Sequence, residues 1–386
     1  MTIVLNATAR PTRAGEVLRA VHARPGITRS EVAAAVGLSS GMASDVVAAL
    51  VAARQLSEGS VVASGGRGRP TRSLWAHPQG PLVAVAAIAH ESWQAEAIAL
   101  GGDVVARLSD RHGGQAGHVM AVVAEALMEL CQAHPGRVGA VAVSVPGTVS
   151  GTRLVQAANL GWRDLELATL RPSLGAGVPF MASNDATYSA IGEFSRGAAV
   201  GSVSSLHLFI DSGVGGALIE DGRVTTGAHG MAGEFGHMPF GSRRARCRCG
   251  ARGCWNTDLE GATLAAGLGR PVPADEVSFS RAVLAMAREG SPDELRVIRR
   301  AAGALGRGAA GLVNATDPEL VVLSGLAVEL WQTAPGPLDS AYRDGLMAMI
   351  ASDPPLLVAG ALGDRAPLVG AMEAAFEPIL THPAVS

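Results

Sequence analysis

Three cysteines and one histidine lie close together in the second half of this 386-residue chain. They form an H-x9-C-x-C-x4-C pattern made of His237, Cys247, Cys249 and Cys254. Three thiolates and one imidazole are the ligand set of a closed, tetrahedral structural zinc site, which leaves no vacant position for catalysis. The alternative is a disulfide with one cysteine left over. A C-x-C pair is poorly placed to bridge to itself, and nothing else in the chain indicates an oxidising compartment. We therefore predict a structural Zn²⁺ ion.

The residues between the thiols fit this prediction. Gly250 and Gly253 allow the backbone to fold tightly around an ion. Positive charge in the same loop would favour thiolate over thiol and offset the negative charge of the site. The arginines that supply it are Arg243, Arg244, Arg246, Arg248 and Arg252.

The segment 230–237, G-x-A-G-E-F-G-H, followed by the cysteine pattern, resembles the ROK family of repressors, uncharacterised reading frames and sugar kinases. The resemblance implies a two-lobed α/β fold of the actin-like, sugar-kinase (ribonuclease H-like) type. It also implies that Glu234 and His237 contact a sugar, with His237 bound to zinc as well. The ion would then fix the shape of the sugar pocket.

Other family motifs extend the implied sugar pocket. Asn159 offers both a donor and an acceptor to sugar hydroxyls. In family kinases the pair at Asn184 and Asp185 holds the sugar and takes the proton from the attacking hydroxyl. Asp185 therefore occupies a kinase-base position, although a carboxylate can remain there only to bind a ligand hydroxyl. The sugar-binding residues implied are Gly147, Asn159, Asn184, Asp185, Glu234, His237 and Asn256, the last standing where the family has a second Glu.

Three phosphate-binding elements of the family are altered. The first hairpin, at 87–92, has neither the Asp nor the Gly that would approach Mg²⁺ and phosphate. The second loop begins with Asp211 and Ser212 where the family has Gly-Thr, and a carboxylate there opposes a polyphosphate. After the strand near 320 the usual Gly-Gly is replaced by Gly325 and Leu326, and we expect Leu326 to narrow the nucleotide space.

Charge is distributed unevenly along the chain. Residues 1–80 carry nine arginines and four acidic residues, a net charge of +5, which leaves −8 on the remainder because the whole chain carries −3. A basic N-terminal module on an acidic body is typical of a DNA-binding head. Helical periodicity over 14–23, a capping box opening a helix over 30–36, and a third helix from Ser39 or Ser40 to about Ala53 predict a helix-turn-helix. A three-helix scaffold without a DNA role is the alternative.

A basic G-G-R-G-R-P segment at 65–70 lies between two strand-like runs, which predicts a winged helix-turn-helix whose wing contacts DNA. The start of the third helix has short polar side chains and no Arg or Asn for bidentate base reading, so direct sequence reading is expected to be modest. The predicted DNA-contacting residues are Arg29, Ser39, Ser40, Met42, Ser44, Arg67 and Arg69.

These observations predict a mainly α winged helix-turn-helix domain over 1–80. A first kinase-like lobe over 81–193 is completed by a C-terminal helix within 366–386, and a second lobe with the zinc loop spans 194–365. No signal pattern and no run of 18 apolar residues is present, so we expect a cytoplasmic protein without a membrane span.

The combined hypothesis is a transcriptional regulator of sugar-metabolism genes, and not an enzyme. Its expected partners are operator DNA, a small sugar or sugar-derivative effector, and a second copy in a homodimer or dimer of dimers. Repression and activation both remain open. One alternative is an ATP-dependent sugar kinase with an appended DNA-binding head. Another is a structural or interaction protein without a ligand, which leaves the match of the sugar-pocket residues unexplained.

Overall fold

The computed structural model describes residues 12–62, 71–157, 160–173 and 177–384. The chain divides into two compact units. The first runs up to Asp185 and resumes at Leu368, and the second comprises Ala186–Pro367. The N-terminal helices and the first sheet therefore belong to one unit.

The N-terminal module begins with helices α1 (Arg13–Ala23), α2 (Arg29–Val36) and α3 (Ser40–Ala52). The predicted capping box at the start of α2 is present: Thr28 accepts from the Glu31 backbone N–H, and the Glu31 carboxylate accepts from the Thr28 N–H. Gly37 ends α2 in the left-handed region with φ +66°, which suits glycine. The axes of α2 and α3 then differ by 113°, as in a helix-turn-helix.

Two antiparallel strands, β1 (Leu56–Val62) and β2 (Thr71–Ala76), follow the helices. The backbone N–H of Gly26 donates to the Leu74 carbonyl at 2.8 Å, which ties the turn before α2 to β2. Together with the three helices, this pair forms the predicted winged helix-turn-helix. Residues 63–70, which include the predicted wing contacts Arg67 and Arg69, lie outside the described residues.

The rest of the first unit is built on a mixed sheet with the strand order β10-β6-β3-β4-β5. Strands β3, β4 and β5 form an antiparallel meander, whereas β6 and β10 run parallel to β3. Helix α4 packs on one face of this sheet through its apolar stripe. The elements are β3 (Leu82–Ile88), β4 (Ser92–Ala99), β5 (Val104–Arg111), α4 (Ala116–Ala133), β6 (Val138–Val145), β7 (Thr148–Ser150), β8 (Arg153–Ala157), β9 (Trp162–Glu166) and β10 (Phe180–Asn184).

The second unit is built on a sheet with the strand order β13-β12-β11-β14-β15, in which β11, β14 and β15 are parallel. Its core lies between this sheet and the helices. The elements are α5 (Asp185–Arg196), β11 (Ser204–Ile210), β12 (Val214–Glu220), β13 (Arg223–Val224), α6 (Gly261–Gly267), α7 (Glu276–Arg288), α8 (Pro292–Thr316), β14 (Leu320–Gly325), α9 (Leu326–Thr333), α10 (Pro335–Gly345), α11 (Ala348–Ala351) and β15 (Leu356–Ala359). The last helix, α12 (Ala366–Thr381), belongs to the first unit from Leu368 onward.

Helix α8 packs closely because it is rich in glycine. An ideal Cβ placed on Gly308 would lie 2.1 Å from the ring of Trp255, whose indole N–H donates to the Ala304 carbonyl at 3.0 Å. Trp255 follows the last cysteine of the motif, so this contact fixes one end of the cysteine loop against the core.

No single helix within the described ranges is long and apolar enough to cross a membrane; only the bent pair α2 and α3, taken together, reaches the required length and composition.

Candidate functional site

The four residues of the cysteine–histidine motif converge, as their spacing predicts. Their ligand atoms all lie within 4.8 Å of one another. The Cys249 and Cys254 sulfurs are 3.6 Å apart, and the Cys247 sulfur is 3.7 Å from His237 Nδ1. With metal–sulfur bonds of about 2.3 Å, the corner-to-corner distance in a tetrahedral zinc site is about 3.8 Å. All four cysteines of the chain are unbridged, so the disulfide alternative has no support in this geometry.

The backbone of the loop makes this convergence possible. Gly250 and Gly253 have φ values of +99° and +76°, which side-chain-bearing residues rarely adopt. The N–H of Cys247 donates to the Ala251 carbonyl and the N–H of Gly250 donates to the Cys247 carbonyl, which closes a short turn around the first two thiols. The loop is therefore pre-shaped by its own backbone hydrogen bonds.

The electrostatics of the thiols also fit a bound cation. Burial raises the pKa of Cys247, and burial together with the neighbouring thiols raises the pKa of Cys254 to about 12. Burial opposes ionisation of Cys249 too, but hydrogen bonds from the Ala251 backbone and the other thiols outweigh it and lower its pKa. Thiols this crowded do not ionise together by themselves, and a divalent cation at their centre would deprotonate them.

The arginines of the loop are exposed. Arg248 forms an ion pair with Glu276, the first residue of α7. In the part of the chain that the structure describes, the other four arginines of the loop form no ion pair. Their contribution to the thiols is therefore a general positive potential.

His237 links the cysteine cluster to a predicted sugar residue. Its Nδ1 faces Cys247, and its Nε2 lies 3.8 Å from the Glu234 carboxylate. A carboxylate near the second ring nitrogen orients a metal-bound imidazole and fixes its tautomer. Both side chains are about one-third exposed, 37% for His237 and 32% for Glu234, so they can still be reached by a ligand.

Asn256 has a structural partner that its sequence position does not reveal. Its side-chain oxygen accepts the backbone N–H of Val214 at 2.7 Å, which leaves the amide nitrogen for a further acceptor. Val214 directly follows the loop 211–213, so the residues after the last cysteine are tied to the second phosphate-type loop.

Three other predicted sugar residues, Gly147, Asn184 and Asp185, lie in the first unit. Parallel pairing puts Asn184 opposite Val145, so the ends of β10 and β6 share one edge of the sheet. Gly147 follows there with φ +111°, and a Cβ on it would lie 2.3 Å from the Gln156 carbonyl. Asp185 begins α5 directly after the strand. The structure thus brings Gly147, Asn184 and Asp185 to one edge, whereas Asn159 lies outside the described residues.

Two of the three segments predicted to be altered phosphate elements form closed turns. The hairpin between β3 and β4 closes through the Ala89 N–H and the Ser92 carbonyl at 2.8 Å, and the loop 211–213 closes through the Asp211 N–H and the Gly213 carbonyl at 3.1 Å. The expectation for Leu326 is wrong. Its side chain is 4% exposed and belongs to the core of the second unit, because it begins α9 and points inward.

Only some of the predicted DNA-contacting side chains of the helix-turn-helix are exposed and without another role in the fold. Ser40 and Met42 are exposed and Ser44 is half-buried, whereas the hydroxyl of Ser39 accepts the Met42 N–H as the helix cap. Arg29 forms an ion pair with Glu58 of β1, which partly neutralises its charge.

The structure adds one candidate to the predicted base contacts of α3. Asp45 is exposed on α3, and a carboxylate can accept from the N4 amino group of cytosine. Its acidic side chain is the sequence signal, and it lies beyond the first turn of the helix, to which the predicted contacts were confined.

The fold and the site together define a sugar-kinase-like body that carries a winged helix-turn-helix. The ROK family model matches residues 85–377, and the chain belongs to the ROK family. It is 29% identical over 236 residues to a glucokinase of Halalkalibacterium halodurans, covering 56% of this chain and 69% of that one. It is 25% identical over 246 residues to the xylose repressor of Bacillus subtilis strain 168, covering 63% and 62%.

Among solved structures, the chain is similar to a ROK family transcriptional regulator described as a homologue of the E. coli MLC protein. The TM-score is 0.74 at 23% identity, over 95% of this chain and 96% of that one. This likeness is one of fold, and it includes the N-terminal module that lies outside the family match. The predicted fold class is thereby confirmed.

Proposed function

We propose that this protein is a DNA-binding transcriptional regulator, acting as a repressor of sugar-metabolism genes, whose kinase-like body senses a sugar and does not use ATP. The observation that carries the proposal is the fusion of a helix-turn-helix, with its α2–α3 angle of 113°, to a body with altered phosphate loops. Relatives named as a xylose repressor and a MLC homologue support this choice.

DNA binding in this proposal depends mainly on charge. The basic module 1–80 would bind phosphates through its arginines, including Arg67 and Arg69, and this contribution weakens with salt. Direct base reading would come from Ser40, Met42 and Ser44 at the start of α3. Because these side chains are short, sequence discrimination is expected to be modest and partly carried by water.

Sugar sensing in this proposal uses the residues that the family resemblance assigns to sugar hydroxyls. In the second unit these are Glu234, His237 and the side-chain amide of Asn256. In the first unit they are Gly147, Asn159, Asn184 and Asp185. A structural Zn²⁺ on His237 and the three cysteines would hold the ring of His237 in place. Its chemistry is structural, because four protein ligands leave no open position.

Regulation then follows as a population shift. A sugar with differential affinity for two arrangements of the protein favours one of them. In a homodimer, the spacing of the two helix-turn-helix modules would change with that arrangement and release the operator.

Loss of ATP binding follows from Asp211. A carboxylate within a few ångströms of a polyphosphate costs on the order of a few kcal/mol at an effective dielectric constant near 20. The hairpin at 87–92 lacks the Asp and the Gly with which family kinases hold Mg²⁺ and approach phosphate.

The proposal is tested by fluorescence anisotropy with the duplex that the full-length protein selects from a random-sequence pool. We expect salt-dependent binding, release by one member of a sugar and sugar-phosphate panel, and no effect of Mg-ATP. Binding that no sugar changes would refute the sensor, and absence of selected DNA would refute the regulator.

A sugar kinase is the second candidate, because Asp185 occupies the base position and a glucokinase is among the relatives. ATP turnover measured against a hexose panel decides it, with Asp185→Asn as the control. Turnover that this substitution abolishes would put the kinase ahead. The double variant Asp211→Gly, Ser212→Thr tests whether the loop at 211–212 prevents ATP binding, since the restored family residues should raise the affinity for Mg-ATP.

A further inference from the structure

Helix α1 of the helix-turn-helix and the C-terminal helix α12 lie antiparallel within the first unit. Three residues at helical spacing on α1 meet three residues at the same spacing on α12 in reverse order. A Cβ on Gly15 would lie 2.3 Å from the Leu380 carbonyl. The pairs along this seam are Gly15 with Leu380, Arg19 with Glu377, and His22 with Glu373.

The Arg19–Glu377 contact is bidentate. Nη1 and Nη2 of Arg19 donate to the two carboxylate oxygens of Glu377 at 2.7 and 2.8 Å. Arg19 is 43% exposed, so the pair contributes little stability, but the fork geometry fixes orientation. Its partner is held as well, because the Thr381 hydroxyl donates to Glu377 at 3.1 Å.

His22 is the buried end of the seam. Its side chain is 3% exposed, its Nδ1 accepts the Gly101 N–H at 2.9 Å, and its Nε2 lies 3.3 Å from the Glu373 carboxylate. Its ring also packs on Phe376 at 4.6 Å between centroids. One imidazole therefore joins α1, the β4–β5 turn and α12.

The module is attached at two further points. The Gln55 side chain donates to the Ala384 carbonyl at 3.1 Å, and Arg137 donates to the carbonyls of Pro78 and Gly80 in the connection to β3. Helix α1 also packs against α2 and α3, and its Val17 and Leu18 are fully buried, so the position of α1 sets theirs.

We propose that Arg19 and His22 are positioning residues through which α12 sets the orientation of the DNA-reading helix α3. The inference rests on the proposed function and deepens it. The helix-turn-helix then moves as one body with α12 and the first sheet, and an operator is recognised at one half-site spacing because neither module can rotate freely.

Charge reversal tests the link. The variants are Arg19→Glu, Glu377→Arg and the double variant, with Arg13→Glu as the control because Arg13 pairs with Glu16 within α1 itself. Each is titrated with the selected duplex, with the same duplex carrying one or two extra central base pairs, and with a single half-site.

We expect wild type and Arg13→Glu to discriminate against the altered spacing by about tenfold or more. Each single charge reversal should lose this ratio of affinities between the selected and the altered duplex while keeping its affinity for the half-site. The double variant should recover the ratio. Uniformly weaker binding to every duplex with an unchanged ratio would mean that the pair is only structural and would overturn the inference.

A second readout separates this inference from the proposed function. If wild type selects no DNA, the regulator proposal fails, and hydrogen exchange of the α3 amides then tests the link alone. Faster exchange of the α3 amides in each single charge reversal, with recovery in the double variant, would support the link between α12 and α3. Unchanged exchange in all three variants would overturn it.

Discussion

The side-chain oxygen of Asn256 accepts the backbone N–H of Val214 at 2.7 Å. This one bond connects the end of the cysteine loop to the start of β12, directly after the loop 211–213. The metal motif and the phosphate-type loop are therefore mechanically joined.

Replacement of Asn256 by Ala should lower the free energy of unfolding by about 1–3 kcal/mol, because the Val214 N–H loses its acceptor in a partly buried position. Asn256→Asp keeps an acceptor and should cost less. Urea denaturation followed by circular dichroism measures both. Equal losses in the two variants would show that the hydrogen bond is not what Asn256 contributes.

Cys249→Ser should reduce bound zinc well below the level of about one ion per chain expected for a closed four-ligand site. Because metal binding and folding are coupled, the free energy of unfolding should fall by more than about 2 kcal/mol. Elemental analysis and thermal unfolding measure the two effects. Cys131→Ser is the matched control, since Cys131 is buried in the core of the first unit. Full zinc content in Cys249→Ser would contradict the ligand assignment.

Two glycines of α8 should respond oppositely to alanine. A methyl group on Gly308 would overlap the Trp255 ring, so Gly308→Ala should destabilise the protein by about 1–3 kcal/mol. On Gly303 the nearest atom would be 3.6 Å away, so Gly303→Ala should stabilise by up to about 1 kcal/mol through helix propensity. Thermal unfolding of the two variants, compared side by side, tests the packing. A stabilising Gly308→Ala would contradict it.

His207 should make the protein less stable in acid. It lies on β11 with 1% exposure, neither ring nitrogen has a hydrogen-bond partner among the described residues, and burial lowers its pKa to about 3. An unfolded histidine has a pKa of about 6.5, so between these values the unfolded chain binds the extra proton. Stability should therefore fall by up to about 1.4 kcal/mol per pH unit below pH 6.5.

The acid effect is measured as urea-unfolding free energy from pH 7 to pH 4. His207→Leu should flatten this dependence, and His118→Gln, at an exposed position, should not. An unchanged slope in His207→Leu would assign the acid sensitivity to other groups.

Local chemistry made much of this fold predictable. The capping box that opens the second helix follows from a short pattern, and the structure has it at Thr28 and Glu31 as predicted. The cysteine cluster was equally predictable from the sequence, because ligand type and spacing identify such a site without knowledge of the rest of the chain.

The ends of helices were harder to predict from the sequence, and two helices begin at residues other than the predicted ones. The sequence pattern predicts a helix from Ser280, but α7 starts four residues earlier, at Glu276, because the Asp275 carboxylate caps it through the N–H groups of Val277 and Ser278. The pattern also predicts a helix from Leu259, whereas α6 starts two residues later, at Gly261. Helix α10 begins at Pro335, where proline is favoured in the first turn of a helix, and no sequence prediction covers it.

Long-range contacts could not be predicted. Arg19 and Glu377 are 358 positions apart, and neither stands in a motif that indicates a partner. The bond between Asn256 and Val214 was hidden for the same reason. Such contacts depend on how helices and strands pack in the tertiary structure. The spacing of residues along the chain does not encode that packing.

The antiparallel pairing of α1 with α12 also has a consequence for biosynthesis. The N-terminal module leaves the ribosome well before α12, since Arg19 and Glu377 are 358 positions apart. Nascent domains fold in order of emergence, so the three helices can form before α12 is available to contact α1. A chain stopped before α12 would contain all three N-terminal helices and lack the surface that holds α1.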